Sequence, residues 1–170
     1  MPRLVAVLML IVFATPAYAE EPMTVDRMAE VVQAVDPEAQ ITPNAMALTI
    51  EDIPLIIVHD ARADRMRAMT AIRSADGISP AELMRMMQAN FDSALDARYA
   101  VAQGRLWSVF IHPLGPLSKD ELLEGLGQVV NLALTYGSAY TSGALTFGGG
   151  DSNGIHRKLI DDLLKKGEPI

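Results

Sequence analysis

The feature that most constrains this chain is a pair of neighbouring strand-length runs near its middle. They cover residues 98–103 and Arg105–His112, and Gly104 between them can supply the positive φ of a tight turn. In the second run alternate side chains point to opposite faces, Leu106, Ser108 and Phe110 to one and Trp107, Val109 and Ile111 to the other. Because both faces are largely apolar, we expect each to be covered by helices, a second subunit or a ligand.

A long amphipathic helix is predicted to follow these strands. Ser118 and Glu121 have the spacing of a capping box, and apolar residues recur at helical spacing over residues 122–136. Gly125 and Gly127 lie inside this helix, where each glycine costs about 1 kcal/mol relative to alanine. We therefore expect the two glycines to allow close approach of another backbone, in the same chain or in a partner.

The first part of the chain is predicted to contain a helix and three strands. Thr24 can cap the helix, which ends at Asp36 before Pro37. Residues 45–51 have strand periodicity, and residues 53–58 form a continuous apolar run. Residues 66–73 alternate more weakly, and we interpret them as the third strand, although their alanines and methionines also favour a helix.

A further helix is predicted to start at Ser79, with Pro80 in its first turn and Glu82 at the capping-box position. We expect its buried stripe to contain Leu83, Met87, Phe91 and Ala94 or Leu95, with Met84 and Met86 beside them.

The N-terminus predicts export. Arg3 precedes an apolar run over residues 4–14, and Ala17-Tyr18-Ala19 has the pattern of a signal-peptidase site, so residues 1–19 are predicted to be a cleaved signal peptide. The mature protein is then expected to be soluble, outside any membrane, and periplasmic or secreted. The sequence contains no cysteine, which excludes disulfides and thiol catalysis. A net charge of −7 makes nucleic acid an unfavourable partner.

No residue pattern predicts catalysis, a cofactor or a metal site. His59, His112 and His156 fall on separate elements without metal-binding spacing, and the glycines of residues 148–154 lack the lysine of a phosphate loop. Four arginines are concentrated in one region of this acidic chain. They can contact a dimer partner or an acidic ligand, or form an ordinary polar strand face: Arg62, Arg65, Arg67 and Arg73.

The order of elements, αβββαββα, resembles the type III secretion chaperone-like fold, and in particular the bacterial YbjN-like (sensory transduction regulator) family. The residues that carry this resemblance are Asn90 and Phe91 at the end of the second helix, the strands around Gly104, and the helix opened by Ser118. The resemblance implies an α+β fold in which an antiparallel sheet of about five strands has helices packed on it. It implies an often dimeric, non-enzymatic domain that binds extended segments of other proteins. The chain differs in its signal peptide and in its C-terminal tail.

These observations predict a YbjN-like domain over residues 20–142, a glycine-rich linker over 143–154 and an amphipathic tail, including a helix, over 155–170. The principal hypothesis is an exported interaction protein that forms a homodimer or holds an extended peptide or another periplasmic protein. The alternatives are a small-molecule-binding module and a hydrolase with unrecognised residues. Aromatic residues such as Tyr99 and Trp107 ordinarily pack in a core, but residues of a strand face left uncovered would form the interaction surface. Its candidates are Tyr99, Trp107, Val109, Ile111, Tyr136 and Tyr140.

Overall fold

The computed structural model describes residues 21–92, 95–137 and 153–168. The signal peptide and most of the glycine-rich linker lie outside these residues, so their predictions stay predictions. The described elements are α1 (Val25–Val35), β1 (Gln40–Ile41), β2 (Ala45–Ile50), β3 (Ile53–Asp60), β4 (Arg65–Ser74), α2 (Pro80–Asp92), β5 (Arg98–Ala102), β6 (Arg105–His112), α3 (Lys119–Leu134) and α4 (Asn153–Gly167).

The strands form one antiparallel six-stranded sheet in the order β1-β2-β3-β4-β6-β5. This confirms the predicted α+β fold with an antiparallel sheet and a tail helix. The weakly alternating segment is a strand, β4, as we interpreted it. The sheet has one strand more than expected, because Gln40 and Ile41 pair with Ala47 and Met46 of β2.

Local sequence signals set the turns and the helix starts. At the β5–β6 turn both Gln103 (φ 52°) and Gly104 (φ 69°) have positive φ, as a type I′ hairpin requires. The Thr24 hydroxyl accepts a hydrogen bond from the Arg27 backbone N–H at 3.1 Å and starts α1. Ser118 and Glu121 form both bonds of a capping box at the start of α3. These predictions are confirmed.

One face of the sheet, here called the inner face, carries the core. Helices α1 and α3 pack on it, and α4 packs against both of them. Gly127 allows close packing of α4, since a Cβ there would lie 2.8 Å from Ile160 Cγ1 and 3.8 Å from Ile160 Cα. A Cβ at Gly125 would lie 2.6 Å from the Phe110 ring. The close approach expected at both glycines therefore occurs within the chain, with another helix backbone at Gly127 and with an aromatic ring at Gly125.

The predicted buried stripe of α2 is wrong. Leu83 is 38% exposed, Met87 51% and Phe91 78%, whereas Met86 and Ala89 are buried. The reason is that α2 does not lie across the sheet but runs beside its edge strand, β5. The side of α2 that packs against the protein is therefore not its most apolar side, and it is narrower.

Candidate interaction surface

The two sides of β6 have opposite environments. The side chains of Leu106, Ser108 and Phe110 point to the inner face and are all at most 4% exposed. The alternate side chains of β6 point to the other face of the sheet, here called the outer face. There Trp107 and Val109 are half-buried and Ile111 is 56% exposed. Because α1, α3 and α4 are all on the inner side, none of them covers these outward side chains.

Strand pairing places apolar residues of other strands beside them on the outer face. Met69 of β4 lies opposite Val109, and Ala71 of β4 and Ala100 of β5 flank Trp107. Met69 and Ala100 line a groove of about 310 Å³ together with Ala102 and the three outward side chains of β6, so that β4, β6 and β5 all contribute to it. The alanines leave open space beside the larger side chains, and none of the described helices covers the apolar floor of the groove.

Trp107 has a defined position in this groove. Its indole N–H donates a hydrogen bond to the Ala102 carbonyl oxygen at 3.0 Å, across the β5–β6 hairpin. A tryptophan with its polar atom satisfied offers the rest of its ring for apolar contact, which is why this residue type is enriched in binding surfaces. The hydrogen bond therefore holds the indole ring in place along the groove.

Arg67 is the charged residue of the groove. It lies between Val58 of β3 and Ile111 of β6 on the outer face, and its side chain is exposed. Among the described residues, no carboxylate lies within ion-pair distance of its guanidinium group. Arginine stays protonated in proteins and offers five donors, so this group is a cation available to a ligand.

The tyrosine candidates are placed elsewhere. Tyr99 points to the inner face, is 4% exposed, and its hydroxyl donates to the Leu132 carbonyl oxygen at 3.0 Å. Tyr136, after the end of α3, contacts Tyr99 edge-on with ring centroids 6.4 Å apart. Tyr140 lies outside the described residues. The six candidates are therefore not one surface: Trp107, Val109 and Ile111 line the outer groove, whereas Tyr99 and Tyr136 pack on the inner side.

Both edges of the sheet carry side-chain hydrogen bonds that occupy backbone groups. The Asn90 side chain of α2 accepts from the Tyr99 N–H at 2.7 Å and donates to the Tyr99 carbonyl at 3.1 Å. At the other end, an Asp36 carboxylate oxygen accepts from the Thr49 N–H at 2.8 Å. Such contacts protect edge strands from pairing with another chain. They make the outer face, rather than a sheet edge, the more accessible place for a partner.

Sequence reasoning missed a second exposed apolar surface, the α2 surface, which consists of Leu83, Met84, Met87 and Phe91. Met84 is 61% exposed and Phe91 78%. The helical spacing of these residues did indicate an apolar stripe. It could not indicate whether this chain or a second molecule covers the stripe.

Acidic and amide side chains of the described residues lie close together beside α3. Among the described residues, no group of three or more histidine or acidic side chains could hold a metal ion. A pocket of about 270 Å³ lies between α3 and the β5–β6 edge, with Glu121, Glu124 and Gln128 in its lining. Burial, followed by the neighbouring acids Asp120, Asp96 and Glu121, raises the pKa of the Glu124 carboxyl. Glu121 and Gln128 are engaged in backbone hydrogen bonds, to Ser118 and to Asp96 and Ala97.

Within the described part of the chain, no helix is sufficiently long and apolar to span a bilayer.

Comparison with known proteins reveals likeness in fold. A chain of the HopA1-SchA chaperone–effector complex is 9% identical, with 64% of this chain and 91% of that chain covered and a TM-score of 0.51. A chain of the complex between the Yersinia pestis type III secretion chaperone SycH and a stable fragment of YscM2 is 15% identical, with 62% and 98% covered and a TM-score of 0.48. No protein-family model and no curated protein sequence matches this chain. The first likeness supports the expected chaperone-like fold, whereas membership in the YbjN-like family stays a prediction.

Proposed function

We propose that this protein is a non-enzymatic, exported interaction module that binds a polypeptide partner on the outer face of its sheet and forms a homodimer. The observation that carries this proposal is the uncovered apolar groove around Trp107, with Ile111 exposed at 56%. Exposed contiguous apolar surface in a folded protein commonly marks an interaction site. The fold likeness to a chain from a chaperone–effector complex is consistent with this role.

Photo-crosslinking in the native host tests partner binding. A benzoylphenylalanine at position 111 should give discrete protein adducts, because Ile111 lies on the proposed contact face. The matched control is position 157 on α4, where the exposed Arg157 lies on the opposite side of the protein. Equal adducts at both positions, or none at position 111, would contradict the proposal.

The α2 surface is the proposed dimer contact. Phe91 and Met87 are exposed one helical turn apart, and pairing two such helices would bury them without changing either fold. Light scattering should detect a dimer for the mature protein and a monomer for the double variant Met87→Ser with Phe91→Ser. Ile111→Ser, on the outer face, should leave the dimer intact. A monomeric wild-type protein would refute this part of the proposal.

Export rests on the N-terminal sequence. Expression of the whole chain in a Gram-negative host should give a periplasmic product whose N-terminus is Glu20, the residue after Ala19. Recovery of the uncleaved chain in the cytoplasm would contradict this prediction.

The alternative function is binding of a small molecule in the outer groove. The observation in its favour is the groove volume of about 310 Å³, which lies at the lower end of the roughly 300–1,000 Å³ range of ligand pockets. Thermal stabilisation by members of a metabolite screen, lost in Trp107→Ala, would favour it over the polypeptide partner.

A further inference from the structure

The half of the sheet that contains the outer groove differs in charge from the rest of the protein. Strands β4, β5 and β6 contain no aspartate or glutamate but five arginines, Arg65, Arg67, Arg73, Arg98 and Arg105. The whole chain has 21 acidic residues against 14 lysines and arginines. This local excess of positive charge around an apolar groove is the starting point of the inference.

Three of these arginines already donate hydrogen bonds within the protein, and one of them, Arg65, donates to the Asp64 carbonyl oxygen at 3.3 Å. The Arg98 guanidinium donates to the carbonyl oxygens of Leu95 and Ala97, and that of Arg73 donates to the Ser74 and Asp76 carbonyls. Within the described part of the chain, the guanidinium groups of Arg67 and Arg105 have neither a hydrogen-bond acceptor nor an ion-pair partner, and of these two Arg67 is the one that lines the outer groove.

Asp60 lies on the outer face at the end of β3, and its carboxylate accepts hydrogen bonds from the Arg62 and Ala63 backbone N–H groups at 2.9 and 3.1 Å. Asp60 of β3 lies opposite Arg65, whereas the residue opposite Arg67 on the same strand is Val58. On its other side Arg67 faces Ile111. The Arg67 guanidinium thus lies beside apolar side chains, where a carboxylate would interact with it more strongly than in bulk water.

We infer that the outer groove binds an extended acidic polypeptide segment, in which a carboxylate pairs with Arg67 and an apolar side chain two residues away enters the groove over Met69 and Trp107. This inference rests on the proposed function and specifies the chemistry of the partner. Successive side chains on one side of an extended segment are about 6.6 Å apart, which equals the spacing of Arg67 and Met69 along β4. The partner pattern is therefore aspartate or glutamate, any residue, then an apolar residue.

An extended segment fits this groove better than a helix does. The groove follows the strand direction, because the three successive outward side chains of β6 line it, with Arg67 and Met69 of β4 on one side and Ala100 and Ala102 of β5 on the other. An extended chain can lie along such a surface and place every second side chain in it. Asn90 already occupies the Tyr99 backbone groups at the β5 edge, so the contacts come from side chains of the outer face.

Fluorescence anisotropy with defined peptides tests the inference. The probe is a fluorescein-labelled peptide as long as the 10-residue β4, with glutamate and leucine alternating at every second position and threonine between them. One control peptide has lysine in place of glutamate, and the other has serine in place of leucine. The mature protein should bind the glutamate–leucine peptide at least about tenfold more tightly than either control, and added salt should weaken this binding.

Substitutions then locate the charge contact. Arg67→Gln should weaken binding of the glutamate–leucine peptide about tenfold and abolish the preference over the lysine peptide, whereas Arg67→Lys should retain part of it. Arg157→Gln on α4 removes the same charge from the opposite side and should have no effect. Arg67 is exposed, so each variant should keep the wild-type circular dichroism and melting temperature.

The possible results separate this inference from the proposed function. Absence of binding, equal binding of the lysine peptide, or an unchanged affinity in Arg67→Gln would overturn the acidic-segment inference. If crosslinks at position 111 still form, the outer face binds a partner by apolar contact alone, and the proposed function stands. Arg67-dependent sedimentation with phosphatidylglycerol vesicles, without peptide binding, would overturn the acidic-segment inference and indicate an anionic membrane surface instead.

Discussion

Substitution of Gly125 by alanine tests how closely α3 must approach the sheet. A Cβ at this position would lie 2.6, 2.6 and 2.9 Å from three atoms of the Phe110 ring. Carbon atoms in contact prefer separations of about 3.5–4.0 Å, so the ring or the helix would have to move by roughly 1 Å. Phe110 is 4% exposed, and its strand is paired on both sides, which leaves the ring little room to move.

Two opposing effects determine the size of the change. Alanine is favoured over glycine inside a helix by about 1 kcal/mol. Overpacking a tight core typically costs about 1–3 kcal/mol, and three sub-contact distances to a rigid ring place this case near the upper end. We expect a net loss of about 2 kcal/mol in the free energy of unfolding. For a protein of this size that corresponds to a melting temperature about 4–8 °C lower.

Gly127→Ala is the matched control, because it is the same change in the same helix. Its Cβ would have one contact under 3.0 Å, to Ile160 Cγ1 at 2.8 Å, whereas the Cβ at position 125 would have three. We expect its overpacking and helix-propensity effects to cancel to within about 0.5 kcal/mol.

Urea denaturation and calorimetry measure both variants. Adding Phe110→Leu should recover part of the loss in Gly125→Ala, because the shorter side chain leaves space for the methyl group. If Gly125→Ala is as stable as the wild-type protein, the Phe110 ring does not require a glycine. Close packing against that ring would then not be the reason for the glycine at this position.

Three further predictions concern side chains around the sheet. Asn90→Ala should lower the free energy of unfolding by about 1–3 kcal/mol in urea, because Tyr99 loses both hydrogen bonds of its free edge. Tyr99→Phe should cost about 1 kcal/mol, since the hydroxyl bond to the Leu132 carbonyl is lost. Glu121→Gln and Glu124→Gln should change the pH dependence of stability in opposite directions. Hydrogen bonds from Ser118 lower the pKa of Glu121 below 4.5, so its stabilisation is present above that pH and disappears as pH falls through the lowered pKa. Burial raises the pKa of Glu124 above 4.5, so its ionisation destabilises the fold as pH rises, and Glu124→Gln should be more stable than the wild-type protein at pH about 7.

Each of these predictions has a contrary result. Unchanged urea midpoints in Asn90→Ala or Tyr99→Phe would show that water replaces the lost bonds. Urea titrations are made from acidic to neutral pH. They would contradict the pKa argument if Glu124→Gln is less stable than the wild-type protein at neutral pH. The argument is also contradicted if Glu121→Gln loses as much stability as the wild-type protein on acidification, because the glutamine has no carboxylate to protonate.

Local signals in the sequence were sufficient for most of the secondary structure. Thr24 and Ser118 start helices because their hydroxyl groups accept hydrogen bonds from the first turn, within a few residues of the chain. Gln103 and Gly104 make the hairpin turn because both adopt positive φ. The alternation along β6 also showed which side chains share a face. These features depend on neighbours in sequence, so the chain predicts them without knowledge of the fold.

Only the tertiary structure decided which of those faces are covered. Periodicity gave the apolar side of α2 and the two sides of β6, but coverage depends on where distant segments pack. Because α3 and α1 lie on the inner face, Tyr99 is buried while Ile111 is exposed, and because α2 lies beside β5, Phe91 faces outward. The contact of Arg67 with the Trp107 groove likewise arises from pairing between β4 and β6, which are separated in sequence by a helix and another strand. The amino-acid pattern determined the elements and their apolar sides, and long-range packing determined which of those sides is left exposed.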